Sequence, residues 1–393
     1  MTLHRRSFMG AATLLAAPRM VFARAATARR FVFVVQRGAA DGLNTVVPYA
    51  DPAYADLRGA LAIDPASALR LDGTFALHPA LAQLHQMYTA GEAQFIHAVA
   101  SPYRERSHFD AQNVLETGAS LPYQLKDGWL NRLVRMLPAD DKAAIAFASA
   151  VPMALRGTAP VVTYAPSNLP EADDDLMQRV EQLYARDAQL HGLWSSALDA
   201  RGMAGGGGPG SRGERRQDGA ALGRMAAGFL GKVDGPRIAM IETSGWDTHS
   251  AQNARLATQL KGLDALMAGL RDGLGPVWAD TVVLVATEFG RTARANGTGG
   301  TDHGTGAAAM LVGGAVQGGR VVADWPGLAA GQLLEGRDLK PTLALDVLVA
   351  STCAQAFGLD PGLTLRTLFP YATAHSSANP SAGSSVFSGL VRA

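Results

Sequence analysis

The amino-acid sequence predicts an α/β fold with a doubly wound, mainly parallel sheet flanked by helices. Continuous apolar runs such as Phe31–Val35 and Thr281–Ala286 are typical of strands that are buried on both faces. These runs alternate with helical patterns such as Ala254–Arg271, as crossovers between parallel strands require. The chain of 393 residues is 48% hydrophobic and 18% charged, so it can bury a large core and differs from a disordered protein.

The first part of the chain contains two predicted strands and two predicted helices, at Phe31–Val35, residues 79–90, Ala93–Val99 and Ser107–Thr117. Leu81, Leu84 and Met87 have the spacing of one helical face, which predicts the first helix. Gly118 is suited to end the second helix, because glycine readily adopts the left-handed conformation found at helix C-termini.

The segment from about 120 to 235 interrupts this alternation and is predicted to be a helical, looped insertion. It contains two short strand candidates, a long helical pattern, a glycine-rich linker and a further helix, at Ala143–Phe147, Val161–Tyr164, Leu176–Leu198, residues 202–213 and Ala220–Lys232. Glycines in the linker match the spacing of a dinucleotide-binding loop, but no strand precedes them, so no cofactor site is inferred. With this insertion, residues 26–393 are predicted to form a single domain.

The second half returns to regular alternation. In chain order it contains a strand, a helix, two strands and a final helix, at Arg237–Glu242, Ala254–Arg271, Thr281–Ala286, Ala307–Val312 and Leu343–Phe357. Cys353, the single cysteine of the sequence, lies in the last of these runs, where a buried and inert thiol is expected.

Residues 1–25 are predicted to be a twin-arginine signal peptide. Arg5-Arg6-Ser7-Phe8-Met9 forms the twin-arginine pattern, Gly10–Ala17 is an apolar run, and Ala23-Arg24-Ala25 resembles a cleavage site. An ordinary secretory signal or a basic first helix is the alternative interpretation. The pattern predicts transport by the twin-arginine translocase to the periplasm or otherwise out of the cytoplasm.

Composition excludes several classes of function. Removal of residues 1–25 takes away four arginines and no acid, so the formal charge changes from +1 to −3 and no nucleic-acid binding is predicted. No run approaches the roughly 18 apolar residues of a membrane-spanning helix. No flavin or nicotinamide fingerprint supports an organic redox cofactor.

Acidic residues and histidines follow several of the predicted strands. Because parallel strands share one carboxyl edge, the side chains in these loops are expected to converge there. The candidates are Asp41, Asp247, His249, Glu288, Asp302 and His303. Carboxylates and imidazoles together suit Zn²⁺, Mn²⁺ or Mg²⁺, so a divalent metal site is predicted. Each residue alone also fits a turn, a helix cap or a structural ion pair.

Ser107 is predicted to lie in the first turn of a helix, where free N–H groups and the helix dipole attract an anion. A phosphate or sulfate ester could bind there, with Arg106 or Arg291 holding its oxygens. A metal would polarise the ester and lower the pKa of the serine hydroxyl. The alternative is that Ser107 only caps the helix.

These motifs resemble those of the DUF1501 family of exported bacterial proteins. The matching segments are Arg37–Asn44, Arg106–Phe109, Glu116–Gly118, Gly245–His249, Thr287–Thr292 and Gly300–Gly304, and the resemblance covers nearly the whole mature chain. The family is placed in the alkaline phosphatase/sulfatase superfamily. That placement implies a doubly wound sheet, one or two metals, and a Ser, Thr or modified Cys nucleophile.

The resemblance also implies individual roles. The implied metal ligands are Asp41, Asp247, His249, Glu288 and His303. Ser107 falls near the nucleophile position, although the sequence leaves open whether Ser107 or His108 faces the site. Phe289 stands where the superfamily has a histidine, so one metal position is expected to be weak or absent.

The sequence thus predicts an exported, metal-dependent hydrolase that acts on small-molecule phosphate or sulfate esters. The alternative is a non-catalytic binding or assembly protein on a degenerate scaffold of the same fold, because Phe289 replaces an expected metal ligand.

Overall fold

The computed structural model of this protein describes residues 28–138, 144–165, 174–185, 187, 190–191, 194–195, 218–372 and 387–392. The predicted signal peptide (residues 1–25) and the predicted linker (residues 202–213) lie outside the described residues. Within those residues, no helix combines the length and the apolar character that crossing a membrane requires.

The strands, numbered in chain order, are β1 (Arg30–Gln36), β2 (Val46–Val47), β3 (Leu69–Arg70), β4 (Ala76–Leu77), β5 (Ala93–Ala100), β6 (Ala144–Phe147), β7 (Val161–Thr163), β8 (Ile238–Thr243), β9 (Thr281–Thr287), β10 (Ala307–Val312), β11 (Arg320–Val322) and β12 (Leu343–Ala344). The α-helices are α1 (Gly42–Thr45), α2 (Tyr54–Arg58), α3 (Ala82–Thr89), α4 (His108–Thr117), α5 (Trp129–Met136), α6 (Asp174–Tyr184), α7 (Gly219–Leu230), α8 (Gln252–Leu274), α9 (Leu345–Phe357) and α10 (Pro361–Leu368). Short 3₁₀ helices occupy Gly59–Leu61, Met153–Leu155 and Gly275–Asp280.

Nine of the described strands form the central sheet, in the order β11-β5-β10-β9-β1-β8-β6-β7, with β12 paired to β5 off this path. In the middle of the sheet, β1 pairs in parallel with both β8 and β9. Among the described strands of this sheet, β10 alone runs antiparallel to its neighbours. The carboxyl ends of β1, β5, β8 and β9 therefore lie at one edge, and the chain enters β10 from that same edge.

Alternation along β1 builds a core on both faces of the sheet. Phe31 and Phe33 point to one face, where their ring centroids lie 6.4 and 5.0 Å from that of Trp129 in α5. Val32 and Val34 belong to the apolar cluster on the opposite face, together with leucines of α8. Because helices cover both faces, the strands carry continuous apolar runs instead of alternating polar residues.

The predicted fold class is confirmed, since the sheet is mixed, mostly parallel and flanked by helices. The predicted strands at Phe31–Val35 and Ala93–Val99 correspond to β1 and β5. Two strand candidates within the predicted insertion belong to the central sheet, because β6 pairs with β8 and β7 pairs with β6. These strands have only four and three residues, too few for the sequence pattern to indicate sheet membership.

His97 on β5 is a fully buried histidine that the fold holds in its neutral form. Its Nδ1 accepts a hydrogen bond from the backbone N–H of Ala98 at 2.8 Å, and its Nε2 donates to the carbonyl of Val46 at 2.9 Å. The ring also lies between Phe75 and Trp325, with centroids 5.5 and 4.9 Å away. Burial lowers the pKa of His97 from 6.5 to about 4, because a second ring proton would face the Ala98 N–H without an acceptor.

We therefore predict that His97 makes the protein sensitive to acid. Below pH 6.5 the imidazole of His97 binds a proton in the unfolded chain, whereas in the folded protein it stays neutral down to about pH 4. The free energy of unfolding therefore falls as the pH drops through this window. A shift of this size corresponds to about 3 kcal/mol in total, of which about 2 kcal/mol is lost between pH 7 and pH 5. Urea unfolding at both pH values should show a smaller pH-dependent loss for His97→Gln than for the wild type.

His85→Gln is the matched control, because His85 lies on the surface of α3 and its Nε2 contacts only the carbonyl of Arg70 among the described residues. This variant should keep the pH dependence of the wild type. Equal losses of unfolding free energy in the wild type and in His97→Gln would contradict the prediction.

Candidate metal centre

Three histidines and one aspartate converge at the carboxyl edge of the sheet. The loop after β8 provides Asp247 and His249, and the loop that enters β10 provides His303. His108, the first residue of α4, follows the carboxyl end of β5. Donor atoms of His108, Asp247 and His303 all lie within 4.8 Å of one another.

The Nε2 atoms of the three imidazoles face a common point. The Nε2 atom of His303 lies 3.0 Å from that of His108 and 3.0 Å from that of His249. The carboxylate of Asp247 completes the cluster, with Oδ1 2.9 Å from Nε2 of His249 and 3.3 Å from Nε2 of His303. Its Oδ2 lies 3.5 Å from Nε2 of His108.

Each imidazole is held by an acceptor at its other nitrogen. We assign the ring proton to Nδ1 in all three, because each Nδ1 meets an oxygen that accepts hydrogen bonds. Nδ1 of His108 donates to Glu288 at 2.9 Å, and Nδ1 of His249 donates to Asp302 at 3.0 Å. Nδ1 of His303 donates to the backbone carbonyl of Arg106 at 3.1 Å. This tautomer leaves an Nε2 lone pair on every ring, the arrangement that metal-binding histidines adopt.

The donor set fits a divalent transition metal. Bonds of about 2.0–2.1 Å at tetrahedral angles place neighbouring donors about 3.3 Å apart. The separations of 2.9–3.5 Å between the imidazole nitrogens and the carboxylate oxygens of Asp247 bracket that value. Three nitrogen donors suit zinc better than magnesium, which prefers oxygen.

Glu288 orients His108 from a fully buried position and is not itself among the converging donors. Its Oε1 also accepts hydrogen bonds from Gln112 at 3.0 Å and from the backbone N–H of Gly38 at 2.8 Å. Burial opposes its ionisation, but these hydrogen bonds hold the pKa of Glu288 below its usual range. Gly38 has φ +117°, and a Cβ there would lie 2.7 Å from the backbone nitrogen of Asp247, so only glycine fits.

Arg291 binds Asp247 and is therefore not free to hold a substrate. Its buried guanidinium donates to Asp247 Oδ1 at 2.5 Å, to the hydroxyl of Thr301 at 3.0 Å and to the Thr301 carbonyl. Partial burial opposes ionisation of Asp247, yet the hydrogen bond and charge of Arg291 lower its pKa. Asp247 is thus a carboxylate that is ready to bind a cation.

Arg106 contributes to the cluster through its backbone, while its side chain points to other acids. Its guanidinium binds Asp338 at 3.0 Å and Glu335 at 2.7 Å. Its φ of +59° is unusual for a residue with a side chain, and this conformation presents its carbonyl to His303. We infer that the strain is retained because it orients that imidazole.

Asp338 is a fully buried carboxylate that organises the surroundings of His303. It accepts hydrogen bonds from Arg106, from the hydroxyl of Thr305 at 2.8 Å and from Arg337 at 3.0 Å. Arg337 in turn donates to the backbone carbonyl of His303 at 2.7 Å. Asp338 therefore acts on His303 through Arg106 and Arg337 without touching its ring.

Asp41 lies in a separate buried network. Its carboxylate forms a two-pronged ion pair with Arg58, with both distances at 2.8 Å and both side chains almost fully buried. Asp41 also caps α1 and accepts a hydrogen bond from Gln252 at 2.5 Å. Gln252 accepts a hydrogen bond from Thr301, so Asp41 is connected to the cluster only indirectly in the described part of the chain.

Ser107 is the N-cap residue of α4, but its side chain does not cap the helix. Its hydroxyl interacts with Tyr103, while the next side chain, His108, enters the cluster. Phe289 is almost fully buried beside the rings and stacks on His108 with a centroid distance of 4.9 Å. It also lies 5.2 Å from the ring of His303, so this aromatic side chain fixes two imidazoles by packing.

The structure thus brings together three of the predicted metal ligands, Asp247, His249 and His303. It adds His108 as a donor, and it places Glu288 and Asp302 behind the histidines. Asp41, Arg106, Arg291 and Ser107 make other contacts. The spacing of His108 after β5 could have indicated its role, but no sequence signal marks Asp338.

We predict that Asp338→Asn weakens zinc binding by about tenfold or more, as loss of a supporting group typically does. An amide cannot accept from Arg106, Thr305 and Arg337 as a carboxylate does, so His303 loses its fixed orientation. Competition with a fluorescent zinc chelator measures the affinity.

Asp264→Asn is the control, because Asp264 is a buried carboxylate that accepts from the backbone N–H groups of Gln83 and Leu84 at 3.0 and 2.8 Å, at the start of α3. This change should reduce the free energy of unfolding and leave zinc affinity unaltered. Equal zinc affinities for Asp338→Asn and the wild type would argue against a positioning role for Asp338.

Among curated proteins, none matches this chain. Among solved structures, it is similar to the lipoteichoic acid synthase LtaP from Listeria monocytogenes, with 12% identity, TM-score 0.35 and coverage of 68% of this chain and 57% of that one. It is also similar to Ps i-CgsB in complex with k-i-k-neocarrahexaose, with 11% identity, TM-score 0.41 and coverage of 88% and 76%. A third is a protein in the alkaline phosphatase superfamily from Vibrio parahaemolyticus, with 13% identity, TM-score 0.34 and coverage of 72% and 60%.

The chain therefore spans little more than half the length of the first of these structures. The model of DUF1501, a protein family of unknown function, matches residues 28–368, and the chain belongs to this family.

Proposed function

We propose that this protein is a metal-dependent hydrolase of phosphate or sulfate esters. The observation that carries the proposal is the convergence of three imidazole Nε2 atoms and the Asp247 carboxylate at one point. His108, His249, His303 and Asp247 would hold the ion. A bound divalent cation would supply Lewis-acid stabilisation of ester oxygens and would lower the pKa of a nearby hydroxyl.

The beginning of α4 supports the binding of an anionic group beside the donors. His108 is both the first residue of this ten-residue helix and a member of the cluster. The first-turn N–H groups and the helix dipole favour a negative charge there, and the side chain of the N-cap residue Ser107 does not bind these N–H groups. These backbone N–H groups would bind the oxygens of the ester. The sequence predicts that role for Arg106 or Arg291, but their guanidinium groups are bound to acidic side chains.

Ser107 is the proposed nucleophile. It precedes the donor His108 directly and lies at the same helix N-terminus as the anion site. Because its hydroxyl is not used as a helix cap, capping does not compete with attack on an ester. In this role the seryl oxygen would lose its proton and attack phosphorus or sulfur, while the bond to the alcohol oxygen breaks and the alcohol leaves with a proton. Water would then hydrolyse the seryl ester and release phosphate or sulfate.

Zinc or manganese is the proposed ion. The cluster offers three nitrogen donors and one carboxylate, whereas magnesium selects oxygen donors and retains several waters. The donor count also supports one ion instead of two. Glu288 and Asp302 are each bound to an imidazole Nδ1, and Phe289 fills the space beside His108.

A binding or assembly protein without catalysis remains the second candidate. The observation in its favour is that Arg106 and Arg291 are both committed to acids, so no arginine among the predicted anion-binding residues is available to a substrate. On this interpretation the cluster binds metal for structural reasons only.

Metal exchange tests the first candidate. Protein stripped by a chelator should be inactive on 4-nitrophenyl phosphate and 4-nitrophenyl sulfate, and zinc or manganese should restore hydrolysis of at least one of them. His249→Ala should weaken zinc binding, because it removes a donor that solvent can reach. Ser107→Ala should keep zinc affinity while reducing hydrolysis by about 100-fold or more.

The results separate the candidates. A zinc-loaded protein that hydrolyses neither ester would overturn the hydrolase proposal and favour the second candidate. Full activity of Ser107→Ala would reject this serine as the nucleophile. Unchanged zinc binding in His249→Ala would reject the proposed donor set.

We also propose export through the twin-arginine pathway, which the pattern Arg5-Arg6-Ser7-Phe8-Met9 supports. A reporter fused to residues 1–25 should reach the periplasm in cells that have the translocase. Replacement of Arg5 and Arg6 by lysine should retain the reporter in the cytoplasm. Export that persists after this replacement would indicate an ordinary secretory signal instead.

A further inference from the structure

A cleft of about 440 Å³ opens beside the candidate metal centre. Three chain segments enclose it: the start of α2, the loop from Thr292 to Asp302, and the loop from Leu328 to Arg337. Its volume lies in the range of about 300–1,000 Å³ that is typical of small-molecule sites.

The segments that form the cleft are joined by backbone hydrogen bonds. The N–H of Ala295 donates to the carbonyl of Leu57 at 3.0 Å, which joins the first loop to α2. The N–H of Ala293 donates to the carbonyl of Arg337 at 3.1 Å, which joins the two loops. The segments that line the cleft are therefore fixed to one another by the fold.

Two residues connect the cleft directly to the metal centre. Asp302 lines the cleft, and its Oδ1 accepts the hydrogen bond from Nδ1 of His249 at 3.0 Å. Arg337 lines it as well and donates to the backbone carbonyl of His303 at 2.7 Å. The side chain of Asp302 is 51% exposed, so it lies on the rim that separates the cleft from the imidazoles. Asp302 contacts the Nδ1 side of His249, so one imidazole ring separates this rim from the point that the Nε2 atoms face.

The polar groups of the cleft are balanced in charge. Arg294 and Asp56 line it with exposed side chains, and neither has an ion pair or side-chain hydrogen bond among the contacts of the described residues. Arg337 is 39% exposed, but its two terminal nitrogens donate to Asp338 and to the carbonyl of His303. The cleft therefore contains two guanidinium groups, of which that of Arg294 has free donors, and it offers acceptors on the carboxylates of Asp56 and Asp302.

This balance selects an uncharged ligand with many hydroxyl groups. An anion in the cleft would meet the two carboxylates, and a cation would meet the two guanidinium groups. A hydroxyl both donates and accepts, so neighbouring hydroxyls can satisfy both kinds of group. Leu57, Leu328 and Leu333 add an apolar wall on which the C–H groups of such a ligand can pack.

We propose that the cleft binds the alcohol part of the substrate, and that this part is an uncharged, polyhydroxylated group such as a sugar. The inference rests on the proposed function, because it places the phosphate or sulfate of the same ester at the imidazoles. Arg294 and Asp56 are its specificity-determining residues. They recognise the alcohol and take no part in holding the ion.

Calorimetric titration of zinc-loaded protein in the Ser107→Ala background tests the proposal. The probes are methyl phosphate, which reaches only the metal centre, and glucose 6-phosphate, which can also fill the cleft. Glucose 6-phosphate should bind about tenfold more tightly than methyl phosphate, the gain expected from one or two hydrogen bonds to charged groups. Arg294→Gln and Asp56→Asn should each remove most of this gain and leave the affinity for methyl phosphate unchanged.

Arg255→Gln is the matched control, because Arg255 is an exposed arginine on α8 that does not line the cleft. It should alter neither affinity. Equal affinities for the two probes in the parent protein would overturn the proposal. A loss of methyl phosphate binding in Arg294→Gln that equals the loss for glucose 6-phosphate would also overturn it, since the cleft would then be an anion site.

Failure of the proposed function gives a different result. If methyl phosphate does not bind to the zinc-loaded protein, the assignment of the metal centre to esters fails. Methyl glucoside, which lacks a phosphate, then tests the cleft alone. Binding that Arg294→Gln reduces would retain the cleft as a site for hydroxylated ligands, and no binding would reject it.

Discussion

The candidate site depends on one constraint, the orientation of three imidazole rings by hydrogen bonds at Nδ1. A histidine that is free to rotate presents either nitrogen, and three such rings would rarely direct three lone pairs to one point. Glu288, Asp302 and the carbonyl of Arg106 remove that freedom by accepting one proton from each ring. Arg291 and Gly38 serve the same purpose. Arg291 holds the carboxylate of Asp247, and Gly38 allows the backbone of Asp247 to pack closely beside it.

The sheet makes this arrangement possible by gathering distant parts of the chain. Because β1, β5, β8 and β9 point the same way, the loops that follow them meet at one edge. The antiparallel strand β10 adds the loop before it to the same edge, which brings His303 beside His108, 195 positions earlier. A site assembled in this way depends on the whole fold, because its three histidines are far apart in sequence.

The sequence predicts the strands and part of the site for the same reason. Buried parallel strands are continuous apolar runs, and polar residues that follow such runs lie at the carboxyl edge of the sheet. This rule identified Asp247, His249 and His303 as candidates. The other assignments depended on details that no pattern records. Asp41 follows β1 as expected, but its charge is matched by Arg58, whose position in a short helix of the next loop is set by tertiary packing. The left-handed conformation of Arg106 turns its carbonyl to His303 while its side chain pairs with acids, and sequence alone does not indicate it.

The four donors differ in their access to solvent. The side chains of His249 and Asp247 are 44% and 41% exposed, whereas those of His108 and His303 are 23% and 26% exposed. An arriving ion would meet the outer pair first and the inner pair second, and a departing ion would follow the reverse order. Because all four side chains are partly exposed, the ion could be acquired and lost without opening of the core.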